Sequence, residues 1–83
     1  MKLIFSEAAH HQLGKLDKSA QRRIVSKLNF FITREDPLAF SERLVDSQYG
    51  EWRFRIGDYR VLFDVHGDTI AVLKIGHRRD VYK

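Results

Sequence analysis

Residues Glu51 to Tyr82 read EWRFRIGDYRVLFDVHGDTIAVLKIGHRRDVY, and this stretch decides the fold. Trp52, Phe54 and Ile56 alternate with Arg53 and Arg55, the period of two expected of a strand with one face in a core. Gly57-Asp58 predicts a tight reversal, because Gly reaches the positive φ that hairpin loops often need. Tyr59 to His66 follows as a second strand, with Val61, Phe63 and Val65 alternating against Arg60, Leu62 and Asp64. Gly67-Asp68 gives a second turn, and Thr69 to Ile75 a third strand dense in β-branched residues. Connections this short join only antiparallel neighbours, so the stretch predicts a meander. The first reversal brings Arg60 back beside Arg53 and Arg55, and Gly76-His77-Arg78-Arg79 follows the last strand directly. Cations therefore crowd one end of the meander, and that is where function is expected.

Working outward, Lys2 to Phe5 reads as a short strand. Ser6 is placed to cap a helix, with Glu7 in its first turn and Ala9, Leu13 and Leu16 on one face. Gly14 weakens that helix near its end, and Asp17 or Ser19 caps the next. Ala20, Ile24, Leu28 and Phe31, joined by Val25 and Ile32, form a stripe wide enough to cover a sheet over Lys18 to Arg34. Pro37 stops this helix, and Asp36 before it leaves the α region. Leu38 to Tyr49 is read either as one short helical turn or as packed loop. His10 and His11 are adjacent, so on a helix they diverge by about 100° and make a poor metal pair.

The expected fold class is α+β, with one domain over residues 1–83. A small twisted antiparallel sheet, made of the N-terminal strand plus the three-strand meander, is covered by an N-terminal αα-hairpin. Its second face is expected to stay partly open, with Arg53, Arg55, Arg60 and Leu62 pointing toward it. Trp52, Phe54, Val61 and Phe63 are read as core and Tyr59 as structural. Asp64 is expected to pair with Arg60, and Asp80 with Arg79 or Arg78.

Composition narrows the function classes. A chain of 83 residues that is 43% apolar folds around one core and is not disordered. Having no cysteine, it lacks thiolate chemistry and disulfides, which fits a reducing, cytoplasmic compartment. The opening apolar run is too short for a membrane span or signal peptide. The net charge is +4, and much of the second-half positive charge is arginine, whose planar fork suits phosphate. Such a surface attracts nucleic acid or an acidic partner.

The opening strand, the helical hairpin, the hairpin W-R-x-R-I-G-D-Y-R-V-L-F and the terminal G-H-R-R-D-V-Y together resemble the RelE/ParE superfamily of type II toxin–antitoxin systems. Within it, the resemblance is to the RelE-like messenger-RNA interferases. It implies a RelE-like fold and a ribosome-dependent endoribonuclease that cuts mRNA in the A site without metal or cofactor. It also implies a cognate antitoxin, an oligomer formed with it, and the 70S ribosome as partners, with no membrane. By position, Arg60 matches an arginine that contacts the scissile phosphate, Arg78 the catalytic arginine after the last strand, Arg53 and Arg55 basic residues that begin the hairpin, and Tyr82 an aromatic that stacks on the nucleotide. His77 falls where the family is often basic, and Arg79 beside it is expected as a further RNA contact. The pattern departs from the family in a shorter hairpin turn and in arginine at two positions that are lysine in its best-understood nuclease. A gyrase-directed toxin of the ParE branch, or an inactive homologue that binds antitoxin, shares the same outline.

Arginine at those two positions matters chemically. Cleavage by a ribose 2′-hydroxyl needs a proton acceptor, stabilisation of the phosphorane and protonation of the leaving 5′-oxygen. Arginine serves the second need and is a poor base. Histidine ordinarily titrates near neutrality, which makes His77 the candidate for proton transfer, with a phosphate or rRNA contact or a plain surface position as its other readings.

Overall fold

A computed structural model of the chain describes residues 1–45 and 47–82. Strand β1 (Lys2–Phe5) leads into helices α1 (Glu7–Gly14) and α2 (Lys18–Thr33). A 3₁₀ turn, Pro37–Phe40, passes directly into β2 (Ser41–Arg43), and the meander follows as β3 (Trp52–Ile56), β4 (Tyr59–His66) and β5 (Thr69–His77). Both caps are the anticipated ones. Ser6 Oγ accepts from the Ala9 amide at 3.0 Å, and Asp17 Oδ1 from the Ala20 amide at 2.7 Å. Gly57 and Gly67 take φ of +58° and +59°, the left-handed geometry the two reversals require.

Among the described residues the sheet has five strands, in the order β1-β5-β4-β3-β2. The meander is antiparallel as expected, but β1 lies parallel to β5, so the sheet is mixed. The helical hairpin makes this possible. It carries the chain from the β1 edge over one face to the β2 edge, with α1 packed on β5 and α2 reaching β3. Ile24, Leu28 and Phe31 of α2 meet Phe54, Val61, Phe63, Ile70, Val72 and Ile75 in the core. Phe31, Phe54 and Phe63 stack in series, at 4.6 and 4.4 Å between ring centres.

The stretch Leu38 to Tyr49, read as helical turn or loop, supplies both that 3₁₀ turn and an edge strand. A register shift also separates β4 and β5 beside Leu73: Leu62 pairs with Lys74, but Phe63 pairs with Val72. This bulge changes the phase of β5 so that Ile70, Val72 and Ile75 all face the helices. Helix α1 satisfies the interrupted ladder: Ser6 Oγ donates to the Leu73 carbonyl at 3.2 Å, and Gln12 Oε1 accepts from the Ile75 amide at 2.8 Å.

The second face is more covered than expected. Leu62, expected on an open face, is 0% exposed, and Arg60 is 6% exposed. Beside Arg60, the C-terminal turn packs on its cross-strand partner Gly76. After His77 the chain doubles back, and the Val81 amide donates to the His77 carbonyl at 2.9 Å. Val81 is then 1% exposed and lies on Gly76, where a Cβ would stand 3.4 Å from its own Cβ. One of the expected acid pairings differs as well, and Arg78 gains a further carboxylate. Asp64 Oδ1 accepts from the Glu51 amide at 2.8 Å instead of meeting Arg60, and Asp58 stands 3.8 Å from Arg78.

Candidate functional site

Strand register assembles the site on the sheet face turned away from the helices. One row across the sheet runs Glu42, Arg53, Leu62, Lys74, and the next runs Arg55, Arg60, Gly76. Arg55 and Arg60 are direct cross-strand partners. Like charges so placed destabilise a sheet pair, so packing alone does not account for them. Both come from the alternation that sends Phe54, Ile56, Val61 and Phe63 into the core.

Arg60 is anchored. Its Nη1 donates to the carbonyl oxygens of Gly57 at 3.0 Å and Tyr59 at 2.9 Å. Burial first, and then the charges of Arg55, Arg53 and Arg78, hold its guanidinium below the ordinary arginine pKa, against an opposing influence of Tyr82. The same balance places Arg53, Arg55, Arg78 and Tyr82 in one electrostatic neighbourhood around Arg60. Arg78 is fixed at the rim: its amide donates to the Asp58 carbonyl at 2.7 Å, across the first reversal.

Arg53 is held from two sides. Its Nη1 donates to the Tyr82 hydroxyl, and its Nη2 meets Glu42 Oε2 at 3.0 Å. These two hydrogen bonds, that of Tyr82 foremost, raise its pKa. The Tyr82 ring lies 5.9 Å from the Arg53 guanidinium and is half exposed. Arg53 Nε is enclosed without an acceptor among the described residues, an unmet donor of the kind that stability alone disfavours. Glu42 also reaches Arg55 Nη1 through Oε1 at 3.4 Å. Its hydrogen bond to Arg53 is the largest cause that lowers its carboxyl below the ordinary value.

His77 and Arg79 are placed differently. His77 pairs with Tyr59 at the strand ends, and alternation puts it on the helix side of the sheet, opposite Arg60. It meets the Tyr59 ring edge-on at 5.9 Å, and its Nδ1 accepts from the Arg79 amide at 3.2 Å. With Nδ1 occupied, Nε2 is the ring nitrogen left to meet a ligand. The Arg79 side chain is exposed on the turn that follows.

Sequence reasoning brought Arg53, Arg55, Arg60, Arg78 and Tyr82 together, and the structure groups them. It missed Glu42, Tyr49 and Val81. Glu42 sits in a three-residue strand without β-branched residues, and only its register opposite Arg53 reveals it. Tyr49 lies over the other end of the face, 3.9 Å from Lys74 Nζ. Among the described residues no group of three His, Cys, Asp or Glu is placed to hold a metal ion, and no helix is long and apolar enough to cross a membrane.

Comparison with known proteins gives three findings. Residues 3–82 match the family model described as the ParE toxin of the type II toxin–antitoxin system parDE. Toxin RelE3 of Methanocaldococcus jannaschii is 34% identical over 38 residues, 46% of this chain, and the match spans 43% of that protein's length. Among solved structures, a chain of the toxin–antitoxin complex RelBE2 from Mycobacterium tuberculosis superposes with a TM-score of 0.80 at 26% identity, covering 93% of this chain and 96% of that one. A fold shared over nearly the whole length and a family match from the first strand to Tyr82 agree: the chain belongs to the RelE/ParE superfamily of toxins of type II toxin–antitoxin systems.

Proposed function

We propose that the chain is a ribosome-dependent, metal-independent endoribonuclease that cuts mRNA in the ribosomal A site and is neutralised by a cognate antitoxin. The observation that carries this reading is Arg60, 6% exposed and directly opposite Arg55, with Arg53, Arg78 and Tyr82 around it. Four guanidiniums on one face are an arrangement for binding and stabilising phosphate charge.

In the proposed reaction the 2′-oxygen of the nucleotide 5′ to the cut attacks phosphorus, and its proton passes to solvent or to the ribosome. Arg60 and Arg78 stabilise the phosphorane, whose collapse breaks the bond to the 5′-oxygen and leaves a cyclic phosphate. Arg53, Arg55 and Arg79 hold the flanking backbone, and Tyr82 stacks on a base. His77, at the rim, is assigned to a hydrogen bond from Nε2 toward the leaving 5′-oxygen, whose proton comes from solvent or the ribosome. The site is rich in charge stabilisers and poor in acid–base groups, so orientation must come from the ribosome. Cytoplasmic location, and an oligomer with the antitoxin, belong to the same reading.

Primer extension on mRNA from programmed ribosomes should show cleavage that free RNA of the same sequence lacks. Comparable cleavage of both would contradict ribosome dependence. The family match to ParE toxin favours a second reading, inhibition of DNA gyrase by protein contact. A supercoiling assay decides it: inhibition of gyrase without ribosomal cleavage would replace the nuclease.

A further inference from the structure

Glu42 places one carboxylate across two arginines. Oε2 lies 3.0 Å from Arg53 Nη2, and Oε1 lies 3.4 Å from Arg55 Nη1. Two oxygens of one anion divided between two guanidiniums is also the geometry in which a phosphate group presents its non-bridging oxygens. The side chain is 45% exposed and stands on a three-residue edge strand, so it can turn out to solvent without disturbing the core. Its neighbour Glu51 does something else: it meets Arg43 at 3.5 Å, on a pair that is exposed on both sides.

We propose that Glu42 is a built-in competitor for the anion site formed by Arg53 and Arg55, displaced when a backbone phosphate binds there. The inference rests on the nucleic-acid reading above and deepens it. Without a ligand, Glu42 balances charge on a face where Arg55 opposes Arg60. With one, the phosphate takes over both arginines and Glu42 swings out. A single weak anion gains little by this exchange. A ligand that also engages Arg60 and Arg78 gains enough to drive it, so Glu42 sets a threshold that favours a chain of phosphates.

Wild type, Glu42→Gln and Glu51→Gln, each checked by thermal melting, are titrated with a 2′-O-methyl RNA hexanucleotide that cannot be cleaved, and separately with inorganic pyrophosphate. Glu42→Gln should bind both roughly three- to tenfold more tightly, the scale of freeing one or two exposed ion pairs. Glu51→Gln makes the same change in net charge and should stay within about 1.5-fold of wild type, because charges away from the site are screened. Unchanged affinity in Glu42→Gln, or an equal gain in Glu51→Gln, would overturn the proposal. Tighter pyrophosphate in Glu42→Gln with no RNA binding by any variant would support the competitor role and remove RNA as the phosphate source. The two readings therefore fail separately.

Discussion

Arg60 shows how one side chain can serve the fold and the site together. Its alternation with Val61 and Phe63 sent it to the second face in the sequence, and it is there. Its depth was not legible, because the C-terminal turn that packs on its cross-strand partner Gly76 lies some twenty residues away along the chain and carries no periodic signal. Removing Arg60 should therefore affect folding as well as reaction. Arg60→Ala leaves the Gly57 and Tyr59 carbonyls without their donor, which should cost about 1–2 kcal/mol in denaturant unfolding. Glu42 was the residue least visible beforehand, and it gives the clearest pH prediction. Arg53 holds its carboxyl below the ordinary value in the folded state, so this ion pair contributes in full above the unfolded pKa. The contribution is lost as pH falls through the lower, folded one. A carbon-13 NMR titration should find the Glu42 midpoint below that of a free glutamate, and Arg53→Ala should bring it back. A midpoint that Arg53→Ala leaves in place would break the link.

At the level of elements, the meander, both helices and both caps could be read because each is a local pattern: alternation, a stripe, an oxygen at a helix start. What escaped was non-local. The strand Ser41–Arg43 forms because β3 offers an edge, not because its residues favour extension. The sheet was read as antiparallel, and β1 can lie parallel to β5 because the helical hairpin that follows it carries the chain across to the opposite edge. The bulge beside Leu73 reconciles two phases of one apolar run, which a period of two cannot represent. The loop before β3 depends on one close approach. Gly50 has φ +108°, and a Cβ there would stand 2.8 Å from the Phe63 carbonyl oxygen. Gly50→Ala should lower stability by about 2–3 kcal/mol, combining backbone strain with that clash. The denaturant midpoint measures it, and a change below about 0.5 kcal/mol, the scale of an ordinary surface substitution, would mean the approach is not constrained as described.

For the whole molecule, the sheet has two unlike sides. The helices seal one around the aromatic stack, while the other carries the arginines beside the C-terminal turn. The proposed antitoxin would bind a folded chain with a small core, and a ligand that selects the folded state stabilises it by mass action. At about a hundredfold excess over its dissociation constant it should raise the melting midpoint by roughly 10–20 °C. It should also abolish cleavage. Full activity at saturation would show that the antitoxin leaves the arginine face open. The face itself is tested most directly by single-turnover cleavage of mRNA on programmed ribosomes, comparing wild type with Arg78→Ala and Arg60→Lys, each at a temperature where melting shows it folded. The arginine-centred account predicts a loss of at least about 100-fold in Arg78→Ala, the scale of removing one donor to transition-state charge. It also predicts a substantial loss in Arg60→Lys, because a point charge cannot reproduce the anchored guanidinium. Wild-type rates in both folded variants would contradict it.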